Sequence, residues 1–242
     1  MYPWLFASTR IPTPRTDKLQ ISSSSPSHIV VIRGGSIYRV NVLDANGRPL
    51  PVPQVHSQMM GIAAAPATPS SINPGILTTA ARDDWTSARA RLAADATNAS
   101  SLAAIDQALF VVVMDDAQPA TRAAEARTML FGDGRSRWFD KSFSLIVTRS
   151  GKAAVNFEHS WGDGVCVLRM CNDVHAAVSK SSSSVLAELQ SVQAQSVAPL
   201  LFNTQAVAGD MAAAAKRFDE HSGGWVWRWW FSCVGDVRRQ VA

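Results

Sequence analysis

The chain has 242 residues, of which 47% are apolar and 17% charged, a balance that excludes a disordered polymer and supplies one substantial core, or a domain and a further piece. Its net charge of +4 and pI near 9.2 suit anionic ligands, but no lysine-arginine block of the kind that marks nucleic-acid binding occurs. Cys166, Cys171 and Cys233 form neither a disulfide framework nor a zinc spacing, which points to a reducing compartment.

The first residues, Met1-Tyr2-Pro3-Trp4, lack the basic start and apolar core of a secretory signal. The serine run Ser22 to Ser25 reads as a flexible connection. Beyond it, His28 to Ile32 and Ser36 to Leu43 flank Gly34-Gly35, a pair that tolerates positive φ and predicts a tight hairpin. Thr79 is expected to cap a helix over Ala80 to Ala94, and Ser100 or Ser101 to cap another ending at Gln107. Leu109 to Met114 is a short apolar run rich in β-branched residues, predicted to be a buried strand ending at a solvated Asp115-Asp116. An alanine-rich helix follows over Ala120 to Leu130, stopped by a turn at Gly132-Asp133-Gly134 that lacks the spacing of a phosphate loop.

Phe143 to Thr148 and Lys152 to Glu158 are apolar-rich runs separated by Arg149, Ser150 and Gly151, which predicts a second hairpin. Its second strand delivers the segment Glu158-His159-Ser160-Trp161-Gly162-Asp163-Gly164, after which Val165, Leu168, Val174 and Val178 set a helical period towards Ser179. A histidine at a strand-loop-helix junction is a candidate general base, because an imidazole with its ordinary pKa of roughly 6.5 can take and return a proton in one cycle. Cys166 and Cys171 fit as small apolar residues on the following helix. His28, His56, His175 and His221 have no partners at metal-ligand spacing and receive no role, so no metal site is expected. Ser160 is a poor nucleophile candidate, since a neighbour of His159 in extended backbone points to the opposite side.

Arg137-Trp138-Phe139-Asp140-Lys141-Ser142, then the hairpin, then Phe157 to Val165 together resemble the active-site signature of the carnitine/choline O-acyltransferases. The likeness is nearest to the palmitoyl-transferring members. Leu5-Phe6-Ala7-Ser8-Thr9-Arg10-Ile11-Pro12 is similar to the family's R-x-P segment, and Leu130 to Gly134 to the loop before the Arg-Trp-Phe-Asp element. The resemblance runs from about Leu5 to about Asp219; it is weak between Val52 and Pro74 and across Ser179 to Pro199.

The resemblance implies an α/β (α+β) fold, a partial CoA-dependent acyltransferase domain of the chloramphenicol acetyltransferase-like type with a mixed sheet and flanking helices. It implies reversible transfer of a long-chain acyl group between coenzyme A and carnitine. His159 would be the base and Asp163 a supporting acid, orienting the imidazole or bracing the loop through Arg137 or Arg169. Trp161 would pack or wall a substrate tunnel. Coenzyme A thioester enters as co-substrate and no permanently bound cofactor is implied; the groups that hold coenzyme A and carnitine are expected outside this chain. The implied location is mitochondrial, on the matrix side of the inner membrane, although no targeting signal is present.

The organisation expected is a partial catalytic domain over residues 1–180, a serine-rich linker over 181–199, the start of a second half-domain over 200–220, with an alanine-rich helix across Met211 to Arg217, and a tail over 221–242 foreign to the family. That tail holds Trp225, Trp227, Trp229 and Trp230. It reads as an aberrant ending, with a membrane-interface anchor as the alternative; it is too short to span a bilayer, which takes about 20 apolar residues. A functional alternative is a truncated, catalytically silent polypeptide that keeps the fold and acts at most as a binding or interaction module.

Overall fold

The computed structural model describes residues 2–22, 26–66, 73–180 and 188–224. The serine run at Ser181 to Ser184 and the tryptophan cluster at Trp225 to Trp230 lie outside the described residues.

At the centre is a five-stranded mixed sheet in the order β4 (Ser36–Asn41), β3 (His28–Arg33), β5 (Val111–Asp115), β6 (Phe143–Thr148) and β7 (Ala153–Phe157). Strands β3 (His28–Arg33) and β4 (Ser36–Asn41) form the expected first hairpin, with Gly34 and Gly35 at φ of 52° and 82° in the turn. β5 (Val111–Asp115) lies parallel to both β3 and β6 (Phe143–Thr148), and β7 (Ala153–Phe157) returns antiparallel beside β6. The predicted mixed sheet with flanking helices is therefore present, and the second hairpin sits at its edge. After the single helical turn α1 (Tyr2–Leu5), two further short strands, β1 (Ser8–Ile11) and β2 (Lys18–Ile21), pair separately, and Thr9 of β1 bridges to Lys141 just before β6.

Alternation along the central strands divides the interior into two cores. Val30, Ile32, Val111, Val113 and Ile146 face one side, where they meet Trp85, Ala88 and Leu92 of α3 (Arg82–Ala93) and Leu102 and Ile105 of α4 (Ala96–Gln107). Ile29, Val31, Tyr38, Val40 and Val112 face the other side, against Ile62 of α2 (Val52–Ala64). A strand covered on both faces needs a continuous apolar run, as β3 and β5 have.

The helix starts differ from expectation in two places. Thr79 does not cap α3; it ends a 3₁₀ turn over Pro74–Thr79, and its hydroxyl donates to the Ile76 carbonyl at 2.7 Å. Ala80 is extended at ψ 163°, so α3 begins only at Arg82, with Asp83 and Asp84 complementing the dipole of its first turn. Helix α4 starts four residues before Ser100, because Asp95 accepts hydrogen bonds from the amides of Thr97 and Asn98 and so caps it. Ser101 instead lies mid-helix and donates to the Leu201 carbonyl at 2.7 Å. Helix α5 (Arg122–Leu130) is capped by Thr121.

Helix α2 occupies the region where the resemblance is weakest. Pro53 stands in its first turn, where the missing amide has no intrahelical partner to lose. Gly61 sits where the segment around Gln195 crosses the helix: a Cβ there would lie 1.7 Å from the Gln195 carbonyl oxygen. Ser57 accepts from the Gln195 amide at 3.0 Å, so the crossing is hydrogen-bonded as well as close.

The chain then joins the first core. Leu200 donates its amide to the Ile37 carbonyl at 2.7 Å, and Val207, Met211 and Ala214 pack with Trp85 and Trp138. Met211 and Ala214 belong to α7 (Ala208–Gly224), which extends the expected alanine-rich helix at both ends. Residues 200–220, expected to open a second half-domain, contribute Val207, Met211 and Ala214 to the same core cluster as Trp85 and Trp138. Among the described residues no helix is long and apolar enough to cross a membrane.

Candidate active site

The site rests on the segment Asp140-Lys141-Ser142, which leads into β6. Asp140 is 1% exposed and accepts from the Trp85 indole at 2.7 Å and from Arg82 Nη1 at 2.8 Å. Arg10 approaches the same carboxylate at 3.5 Å, and its backbone amide donates to the Asp140 carbonyl at 2.7 Å. Asp17 closes the cluster, 2.8 Å from Arg82 and 3.2 Å from Arg10. The two arginines supply charge and donors around the buried Asp140 carboxylate, and they also reach Asp17 and, from Arg10, Glu158.

Lys141 is buried beside this cluster and donates from Nζ to the Asp106 carbonyl at 2.8 Å. Burial pushes its amine down to about 7, with the Asp106 carboxylate pulling the other way. Ser142 turns its carbonyl outward, where the Glu158 amide at 2.9 Å and the Trp161 indole at 2.8 Å both donate to it. Trp161 therefore acts as a strut from the loop to the pedestal.

His159 lies two residues beyond the last residue of β7 and is exposed, with its ring centroid 4.4 Å from that of Phe157. Neither ring nitrogen makes a hydrogen bond among the described residues. Its backbone neighbours are tied down: Glu158 Oε1 accepts from the Ser160 amide at 3.1 Å, and Glu158 Oε2 lies 3.2 Å from Arg10 Nη1. The imidazole thus projects from a short turn anchored on both sides.

Asp163 lies four residues on, at the N-cap of α6 (Gly164–Ser179), with Oδ1 3.4 Å from the Val165 amide. Neither arginine named from the sequence reaches it. Arg137 is 1% exposed and spends its guanidinium on Asp115, at 2.7 Å, and on the Thr128 carbonyl, at 2.7 Å. Arg169 pairs along its own helix with Asp173 at 3.1 Å. Asp115 is accordingly half-buried and ion-paired rather than the solvated strand end expected, because β5 ends against Arg137. Leu5 and Phe6 face Val165, Cys166 and Met170 across a largely apolar groove of about 580 Å³ along α6. Val165, Leu168, Val174 and Val178, which set the helical period, are all exposed.

Sequence spacing misses most of the pedestal. Asp140 stands inside the recognised signature, but its partners Arg10 and Arg82 lie 130 and 58 positions away. His28, set aside from the sequence, is buried and bonded through Nε2 to the Ala104 carbonyl at 2.7 Å. A carbonyl only accepts, so that nitrogen carries the proton; burial lowers the pKa of the ring.

Residues 1–228 match the family model described as choline/carnitine O-acyltransferase. The chain belongs to this family. It is 36% identical over 222 residues to "Carnitine O-palmitoyltransferase 2, mitochondrial" of Xenopus tropicalis, covering 89% of this chain and 33% of that protein. The proteins of the same name from Rattus norvegicus and Homo sapiens are 37% and 36% identical, each over 219 residues, with the same coverage. The chain therefore spans about a third of the length, 33%, of these curated relatives. The family is one of enzymes, and the segment matched includes both the Asp140 pedestal and the His159 loop.

Proposed function

We propose that this chain carries the proton-transfer centre of a carnitine O-acyltransferase, with His159 as general base and Asp163 in a supporting role. The observation that carries the assignment is the exposed imidazole of His159, unbonded among the described residues, on a turn whose flanking residues are each anchored. A base needs a free nitrogen held in place, and an unbonded ring on an anchored turn supports that reading.

In the forward direction an imidazole nitrogen takes the proton of the carnitine 3-hydroxyl as its oxygen attacks the thioester carbonyl of acyl-coenzyme A. The tetrahedral adduct collapses, the carbon-sulfur bond breaks, and the imidazolium returns the proton to the departing thiolate. No acyl-enzyme is required, since both substrates meet at one ring. Asp163 supports the centre from the N-cap of α6, fixing where the loop ends. A long-chain acyl substrate and a mitochondrial setting, on the matrix side of the inner membrane, follow from the palmitoyltransferases that this chain is similar to. Carnitine and acyl-coenzyme A are the partners on this view.

The test is release of free coenzyme A from palmitoyl-coenzyme A in the presence of carnitine, with octanoyl- and acetyl-coenzyme A as comparisons. Replacement His159→Ala is expected to lower the rate by about two to four powers of ten. Equal rates from the two proteins defeat the assignment. Retained binding of coenzyme A without turnover would support a binding module instead.

A further inference from the structure

We propose that Arg10 and Glu158 form a positioning pair that sets the backbone of His159, so that the ion pair between β1 and the end of β7 governs the rate of proton transfer; this rests on His159 being the base. Glu158 has one carboxylate oxygen for each side of the task. Oε2 faces inward, 3.2 Å from Arg10 Nη1, and Oε1 faces along the chain, accepting from the Ser160 amide at 3.1 Å. The side chain immediately before the histidine thus holds the amide immediately after it.

Arg10 is fixed independently. Its backbone amide is bonded to the Asp140 carbonyl at 2.7 Å, and its guanidinium lies within ion-pair reach of Asp17 and Asp140. The neighbouring Ser8 carbonyl accepts from the Ser142 amide at 3.1 Å, and the Ser142 carbonyl accepts from Glu158 and Trp161. A closed circuit results, running Arg10, Asp140, Ser142, Glu158 and back to Arg10. His159 stands next to Glu158 at the outer edge of this circuit, spanned by the bond from the Ser160 amide to Glu158 Oε1, and its ring takes no part in it.

An exposed ion pair contributes little to stability, but Arg10 and Glu158 are only 26% and 17% exposed and their pairing constrains geometry. A displacement of about 1 Å in a reacting group lowers a rate by about 100-fold, so a pair with a modest effect on folding has a large effect on turnover.

The test uses the full chain with Glu158→Gln, Arg10→Lys, Arg10→Gln and the double variant Arg10→Gln/Glu158→Gln. Exchange of the Ser160 amide and Trp161 indole hydrogens, followed by NMR, is expected to accelerate at least tenfold in Glu158→Gln and Arg10→Gln. Arg10→Lys is expected to restore part of the protection. In turnover, kcat is expected to fall 10- to 100-fold with KM for both substrates within twofold, and the double variant to be no slower than the worse single one. Arg91→Gln, which breaks the ion pair to Asp210 far from the loop, is the structural control and should leave both hydrogens as in the parent.

Unchanged exchange in Glu158→Gln and Arg10→Gln overturns the proposal, as do losses that appear in KM or that multiply in the double variant. If the parent chain and His159→Ala turn over equally, the base assignment fails by itself, and the exchange rates still decide whether the circuit holds the loop.

Discussion

Asn98 and Asn203 hold each other by two hydrogen bonds, Asn98 Nδ2 to the Asn203 carbonyl at 2.9 Å and the Asn203 amide to Asn98 Oδ1 at 2.7 Å. A single buried side chain in α4 thereby satisfies both backbone groups of a residue more than a hundred positions later, as a strand neighbour would. Residues 200–207 are fastened to the first core by this contact and by Ser101 bonding to the Leu201 carbonyl.

Asn98→Ala removes both partners at once and leaves a donor and an acceptor of Asn203 short of bonds. Asn203 is exposed, so water replaces part of what is lost, and the expected loss is about 1–3 kcal/mol, from about 0.5–1.5 kcal/mol for each of the two hydrogen bonds. Asn98→Asp keeps the acceptor and loses the donor, so it should fall between. Urea unfolding followed by circular dichroism measures both, and equal stability of Asn98→Ala and parent would mean that residues 200–207 do not depend on this contact.

Gly61→Ala tests the crossing on α2. The new Cβ overlaps the Gln195 carbonyl oxygen, so the segment must lift away, and its hydrogen bond to Ser57 is lost. Overpacking of this kind costs about 1–3 kcal/mol. Amide exchange at Gln195 should accelerate far more than exchange in β3 or β5, whose amides are held by the ladders of the central sheet.

These contacts mark the limit of what the sequence reveals. The sheet is legible because periodicity is local: Ile29 to Ile32 and Val111 to Val113 announce themselves as buried strands, and Gly34-Gly35 announces a turn. The His159 loop is legible through its signature. Helix starts are less so, since Thr79, Ser100 and Asp95 are all acceptable caps, and only the extended backbone at Ala80 and the tertiary bond from Ser101 to Leu201 decide among them. The pedestal is legible only where its members fall within the segments of the resemblance, Arg10 in one and Asp140 to Ser142 in another, and the contacts among them are not. Arg10, Asp17 and Arg82 are ordinary surface residue types, and nothing in their spacing says that the chain folds them onto one carboxylate. The partner of Arg137 is hidden for the same reason: Asp115 lies nearer in space than Asp163 because β5 and β6 are neighbours in the sheet.

Asp140→Asn probes that pedestal. The amide keeps the shape but removes the charge that Arg10 and Arg82 share, leaving Arg82 with Asp17 and Arg10 with Asp17 and Glu158. Breaking a buried pair by neutralising one member costs about 3–5 kcal/mol. Trp85→Phe leaves the charge in place, removing the indole donor at 2.7 Å and part of a fully buried ring, and should cost less. Thermal melting of the two variants beside the parent gives the order, and Asp140→Asn as stable as Trp85→Phe would show that the charge is not what holds the site.

Lys141 makes stability depend on pH in a predictable direction. Its amine has a pKa of about 7 in the fold against an ordinary value of 10.5. Between these values the unfolded chain holds the proton more often than the folded one, so stability rises with pH from about 7 to about 10.5. Below about 7 both forms are protonated and the penalty for a buried charge is fully present. Lys141→Met deletes this dependence along with the bond to the Asp106 carbonyl. Unfolding free energies of parent and variant measured at pH 6.5 and 9.5 should therefore converge or cross in the parent's favour as pH rises, other titrating groups being common to both. A constant difference between the two proteins across that interval would mean that Lys141 stays charged in the fold.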